Sequence, residues 1–211
     1  LERKRDPGIK LHTTGIIVRE CADEFAIPEH LTRKVTDVRL YAPSLRFVDL
    51  RSPDYFFLTT DTPGLMRYLS DEAVQAGANI MYDTAYETGH TQGGRIHINH
   101  DALSCRFLIG ADGPRSKVAD DFALGKNTAF LLGAEAEYTG LKLEDNAFYC
   151  FLDQTLARGY LGWVIPGVGV AQVGLAQRMP RRPDIDAFVN RMRGIFDFSN
   201  SAVAARRGGL I

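Results

Sequence analysis

Residues 108–116 read LIGADGPRS and are the strongest chemical signal in the chain. The apolar run RFLI at 106–109 is expected to form a short buried strand ending at Gly110. Gly110-Ala111-Asp112-Gly113 then makes a tight turn, and Ser116 is placed to cap a following helix. Glycine lets a backbone approach a bound ligand closely. Open α/β sheets bind ligands beyond the carboxyl ends of their strands. Asp112 has two ways to serve there: it can accept hydrogen bonds from ligand hydroxyls, or it can hold the turn. The pattern predicts Asp112 at a strand's carboxyl end, beside a helix N-terminus.

Other patterns carry less. Gly167-Val168-Gly169 followed by Gly174 misses the GxGxxG spacing and lies between two strand-like runs, so it is no phosphate loop. His97 and His100 stand three apart on a strand-like run, which turns them to opposite faces and argues against a shared metal. No GxSxG or HExxH is present, so hydrolase chemistry has no support.

The elements that must position these residues come in two textures. VTDVRLYAP and LRFVDLR alternate as a half-buried hairpin should, and YFFLTT follows as a third strand. A helix begins with Thr62 as its cap and Pro63 at its first position, and it stops at Gly77. Leu65, Met66, Leu69, Ala73 and Val74 form its apolar stripe. NIMYDT reads as a strand, and Gly93-Gly94 marks a turn between two more. After residue 125 the runs AFLLGAEAEY, AFYCFLD, GYLGWVIP and GVAQVGLA are strand-like. Pro183-Asp184 opens a late helix with Ile185, Phe188, Val189, Met192 and Ile195 on one face. Residues 1–30 and 62–125 therefore look α/β, and residues 31–61 and 126–211 look like an antiparallel sheet with a helix.

LIGADGPRS resembles the second flavin fingerprint of the superfamily that joins aromatic hydroxylases and geranylgeranyl reductases. That resemblance implies a role for Asp112 and Gly113 near the pyrophosphate and ribityl chain of FAD. Many members continue with an arginine, but Lys117-Val118-Ala119-Asp120 follows Ser116 here, which leaves Arg115 or Lys117 as substitutes. LERKRDPG at the start looks like the run after the family's second strand, which makes Glu2, beside Arg3, the acid for the adenosine ribose. TTG at 13–15 lies where reductase members carry a loop near the flavin, which implicates Thr14 and Gly15. GYLGWVIPG is similar to the aromatic run of the reductases' substrate sheet, with Tyr160, Trp163 and Pro166 at its longer spacing. An apolar aromatic floor suits a lipid-like or aromatic substrate, although the same residues serve equally as core packing. Three motifs stand in the expected order along most of the chain.

The resemblance implies a fold that is α/β plus antiparallel β. A partial Rossmann-like FAD domain would span 1–30 and 62–125, and a β-sheet substrate domain 31–61 and 126–211. The implied cofactor is FAD, with NAD(P)H or another reductant as electron donor. The implied reaction is reduction of a carbon–carbon double bond in a prenyl or other lipophilic substrate. Two alternatives stand beside it: an FAD-dependent monooxygenase acting on an aromatic or polyketide substrate, and a non-catalytic ligand-binding fragment. Tyr160 and Cys150 are candidate proton donors, but no residue is assigned as the catalytic acid.

Bulk properties agree. The 211 residues are 45% hydrophobic and 24% charged, ordinary for a globular protein. A net charge of -1 argues against a nucleic-acid partner. Cys21, Cys105 and Cys150 are far apart and form no CxxC, which fits a reducing, cytoplasmic setting. A lipophilic substrate is compatible with peripheral membrane contact. The glycine-rich turn and the downstream Gly-Asp segment of such enzymes are absent from the sequence. The chain starts at Leu1, not Met, and both ends are expected to have been cut from a longer protein. The sheet edge left by a missing strand would favour a homodimer.

Overall fold

The computed structural model describes residues 1–143 and 146–211. The described strands are β1 (Ile16–Val18), β2 (Thr32–Val35), β3 (Asp37–Tyr41), β4 (Phe47–Arg51), β5 (Phe57–Thr60), β6 (Gly89–Gln92), β7 (Arg95–Ile98), β8 (Leu103–Cys105), β9 (Leu131–Thr139), β10 (Ala147–Phe151), β11 (Gly162–Pro166), β12 (Ala171–Arg178) and β13 (Ala202–Leu210). The described α-helices are α1 (Arg19–Glu24), α2 (Thr62–Gln75), α3 (Lys117–Asp121) and α4 (Ile185–Met192). Contacts divide the chain into one unit of residues 1–9 and 67–130 and another of residues 10–66 and 131–211. No described helix is long and apolar enough to cross a membrane.

The unit of residues 10–66 and 131–211 is built on a seven-stranded sheet, ordered β13-β9-β12-β11-β10-β3-β4. Among the described residues, only its β10–β3 pairing is parallel. β11 is buried along its whole length and β12 along all but its last residue, so both read as near-continuous apolar runs. β4 is an edge strand and exposed throughout. One face of the sheet packs on α4. Asp184 caps that helix by accepting the Ala187 N–H at 2.9 Å, and Phe188, Val189 and Met192 turn inward, as the apolar spacing predicts. Phe188 lies over Gly162, where a Cβ would sit 2.4 Å from its ring. The core there includes Tyr149, Phe151, Val164, Val173 and Leu175. Burying the Phe188 side chain contributes about 1.5–3 kcal/mol. The opposite face carries Trp163, Ile165 and Ala176, with Ile16 packed against them. A second sheet, β1-β5-β2, is antiparallel and joins the 10–18 segment to the expected YFFLTT strand.

The unit of residues 1–9 and 67–130 contains the antiparallel sheet β6-β7-β8, most of α2, and α3. Gly93 and Gly94, with φ of 58° and 74°, make the expected turn between β6 and β7. Gly77, with φ of 96°, follows α2 as expected. The helix cap is Asp61, one residue before Thr62: its side chain accepts the Gly64 N–H at 3.1 Å. The Thr62 hydroxyl is engaged with Thr60 instead.

Two expected strands do not form. Residues 79–84 and 106–110 hold no ladder, because no described strand lies alongside them to pair their N–H and C=O groups. The backbone groups of Met81, Asp83 and Thr84 bond to Glu2 and Lys4. The RFLI run is irregular and open: Phe107 is 82% exposed and Ile109 88%. The apolar stripe of α2 is likewise uncovered at Leu69 and Val74.

Candidate functional site

Thr14, Gly15 and Trp163 meet on one face of the large sheet. A transverse row of paired residues explains how. Cys150 is opposite Trp163, Trp163 opposite Gly174, Gly174 opposite Glu135, and Glu135 opposite Arg207, across β10, β11, β12, β9 and β13. Gly174 leaves a gap in that row, and the Trp163 indole fills it; a Cβ at Gly174 would lie 2.4 Å from the ring. Crossing the gap brings the indole N–H to Glu135, which accepts it on Oε2 at 2.8 Å. The Thr14 hydroxyl donates to the same oxygen at 2.7 Å.

Further bonds hold the 13–15 loop down. The Gln172 side-chain N–H donates to the Thr14 carbonyl at 3.0 Å. Arg207 donates to the Thr13 carbonyl at 3.3 Å and also bonds Glu137. Thr60 donates to the Gly15 carbonyl through both its amide and its hydroxyl. Gly15 has φ of 74°, and a Cβ there would fall 2.0 Å from the Thr62 hydroxyl oxygen. Only glycine fits this position, for both reasons.

Glu135 is 4% exposed. Burial pushes its carboxyl above the ordinary value of 4.5, against the bonds from Thr14 and Trp163 and the charge of Arg207, while Glu137 adds to the rise. Its second oxygen, Oε1, is buried with no hydrogen-bond partner and lies 3.8 Å from Arg207 Nε. Gln172 Oε1 is buried and unpartnered too. Cys150, next in the row beyond Trp163, is also desolvated, and its thiol is pushed up to about 11, so it stays protonated near neutral pH.

Pro166 ends β11, fully buried, and its carbonyl accepts the Thr59 hydroxyl at 2.7 Å. Tyr160 is not part of this group. It is 44% exposed in the turn before β11, with its N–H bonded to the Ala157 carbonyl.

Asp112 and Gly113 belong to the other unit. Asp112 is exposed and closes its own turn. Ser116 donates to its Oδ1, and the Lys117 and Val118 amides donate to Oδ2 at 2.6 and 3.2 Å. Burial raises its carboxyl, but those three donors outweigh it and hold the net value below the usual carboxylate range. Ser116 also caps α3, accepting the Ala119 N–H at 3.0 Å. Asp112 thus sits beside a helix N-terminus, as expected, but not at the end of a strand. Gly113, with φ of 93°, has open space where a Cβ would be. It lines an open pocket of about 510 Å³ with Pro114, Arg115, Lys126, Asn127 and Phe130. Glu2 accepts the Lys4 N–H on Oε1 and bonds Met81 and Thr84 through its backbone, while the Arg3 side chain is exposed.

His97 does not face His100. Its ring stacks on His90 across the β6–β7 hairpin, 5.5 Å away. No group of His, Cys, Asp or Glu suited to a metal occurs among the described residues.

Sequence reasoning missed Glu135, Gln172 and Arg207. A signal for the first was present: Glu135 and Glu137 stand two apart within an apolar strand, which puts two carboxylates on one face. Arg207 was hidden because Ala202–Leu210 carries no clear alternation.

No family model matches the chain. It is 25% identical over 194 residues to a geranylgeranyl diphosphate reductase of Rhodobacter capsulatus, covering 86% of this chain and 50% of that protein. A geranylgeranyl bacteriochlorophyll reductase-like protein of Thermoplasma acidophilum superposes with a TM-score of 0.84 at 16% identity, over 100% of this chain and 58% of that one. The halogenase PltM, solved with phloroglucinol and FAD, superposes with a TM-score of 0.65 at 9% identity, over 92% and 46%. These similarities support an FAD-dependent oxidoreductase superfamily, the one that includes the geranylgeranyl reductases. It spans about half the length of that curated reductase. Its mixed α/β architecture, with a large, mostly antiparallel sheet, is the fold of these flavoproteins.

Proposed function

We propose that the protein uses FAD to reduce a carbon–carbon double bond in a prenyl or other lipophilic substrate. The observation that carries this reading is the Thr13–Gly15 loop, fixed to the Trp163 face of a sheet that superposes on a reductase-like protein. FAD, when bound, supplies hydride transfer. The residues present fit such a group. Gly113 leaves open space, and Arg115 brings positive charge to the adjoining pocket, where Lys126 is paired with Asp120 at 2.8 Å; a pyrophosphate requires such charge. Glu2 keeps one carboxylate oxygen without a bond and is the residue we assign to the adenosine ribose. Asp112 orders the turn, because three donors already occupy its carboxylate. Thr14 and Gly15 would turn backbone toward the flavin, the Thr14 hydroxyl being held by Glu135, and Trp163 and Pro166 would support the substrate side.

In this reading residues 1–30 and 62–125 serve the cofactor, and residues 31–61 and 126–211 the substrate. The contact units divide the chain differently: residues 10–30, with the Thr13–Gly15 loop, and residues 62–66 lie in the unit of the large sheet, and residues 126–130 in the other. The electron donor is NAD(P)H or another reductant. The superposition on a halogenase solved with an aromatic compound and FAD supports a second reading, an aromatic monooxygenase or related oxygen-using enzyme.

The test uses the full coding sequence. The purified protein should absorb near about 450 nm, as oxidised flavin does. After anaerobic reduction, a geranylgeranyl compound should reoxidise the flavin and gain hydrogen. Reoxidation only by oxygen, with an aromatic product, would establish the second reading. A colourless protein that takes up no FAD would sink both.

A further inference from the structure

We propose that Glu135 is a positioning residue that clasps the Thr13–Gly15 loop and the Trp163 indole to one carboxylate oxygen, so that the two move as one wall of the site. The name of that wall rests on the flavin reading above; the clasp itself rests on geometry alone.

Three observations carry it. First, both donors converge on Oε2, at 2.7 Å from Thr14 and 2.8 Å from Trp163. They come from segments 149 positions apart, and neither segment is a strand neighbour of β9. Second, the sheet is shaped for this contact. Gly174 separates Trp163 from Glu135 in the row, and any larger residue would collide with the indole that reaches across it. Third, the site tolerates a carboxyl where a neutral group would be easier to bury. Glu135 is almost fully enclosed, with Oε1 unpartnered and Arg207 Nε at 3.8 Å. A residue serving only to fill the core would not need an acceptor there. A hydroxyl and an indole N–H meeting on one buried oxygen do need one.

The chain holds a single tryptophan, so its fluorescence reports on Trp163 alone. The groups that could move this signal with pH are Glu135 itself, Glu137 and Arg207 beside it, Cys150 on the other flank of Trp163, and His12, which bonds the Gly208 carbonyl next to Arg207. Two variants separate them. Glu135→Gln keeps an oxygen that accepts both donors but cannot titrate. Glu135→Leu removes the acceptor.

The expected results are specific. Wild-type emission shifts with pH, with a midpoint above 4.5, and Glu135→Gln abolishes that shift while keeping the emission maximum. The Thr60 amide, which donates to the Gly15 carbonyl, exchanges about tenfold faster in Glu135→Leu and at close to the wild-type rate in Glu135→Gln. A shift that persists in Glu135→Gln, or no shift in the wild type, overturns the proposal. Equal Thr60 exchange in all three proteins overturns it too. If Glu135→Leu does not fold, the Glu135→Gln emission profile decides. Neither readout involves flavin, so a failed clasp and a failed flavin reading are told apart by the separate flavin assay on the full coding sequence.

Discussion

The Asp112 turn is closed by partners no more than six positions away, whereas the Glu135 clasp joins Thr14, Trp163 and Arg207 from across the whole chain. The turn is exposed, and water competes for each of its bonds. The clasp centres on a nearly enclosed carboxyl, so a lost bond leaves a buried polar group unsatisfied. Both are polar groups centred on one carboxylate, yet burial pushes Glu135 up while the donors around Asp112 bring it down. The difference teaches that a motif can be easy to recognise because its geometry is local, while the group that organises the site is assembled only by folding.

If that contrast is right, damage to the clasp should exceed damage to the turn. Trp163→Ala should have the largest effect, roughly 3–5 kcal/mol of stability, because it opens a cavity over Gly174 and strips a donor from buried Glu135. Urea denaturation measures it. Gly15→Ala should follow at roughly 1–3 kcal/mol or more, from a residue forced to hold φ of 74° with its Cβ against Thr62. A loss under about 0.5 kcal/mol would show that the loop is not clamped.

Glu135 should also leave a pH signature. Its folded value is raised, so the native state holds a proton that the unfolded chain gives up above about 4.5. Its contribution is fully present below that value and is lost as pH rises through the folded value. Stability of Glu135→Gln should therefore fall less than wild type across that window, as thermal melts at a series of pH values would show. Parallel curves would remove Glu135 as the source. The smallest effect belongs to the turn: Asp112→Ala should cost about 1 kcal/mol, because it frees the Lys117 and Val118 amides while the Ser116 cap stays, and leave Trp163 fluorescence unchanged.

Much of the fold was legible. The β3–β4 and β6–β7 hairpins, α2 and α4 follow from alternation, turn glycines and capping residues, which act over a few positions. The 79–84 and 106–110 runs have strand composition but not strand structure, since composition cannot supply a neighbour for the ladder. The site divides in the same way. Asp112, Gly113 and the Thr14-Gly15 loop stand in readable motifs. Trp163 stands in one as well, but that it reaches Glu135 depends on a glycine on the next strand. Arg207 becomes relevant only because β13 pairs with β9.

The clasp is tested most directly by a double-mutant cycle on its two donors. Thr14→Val and Trp163→Phe each remove one hydrogen bond to Glu135 Oε2 and leave most of the packing in place. If one oxygen holds both, the stability losses should depart from additivity by about 0.5–3 kcal/mol, because the second removal strands a buried carboxyl that the first left partly satisfied. Losses that add to within about 0.3 kcal/mol would mean that loop and indole are held independently, and that Glu135 does not join them.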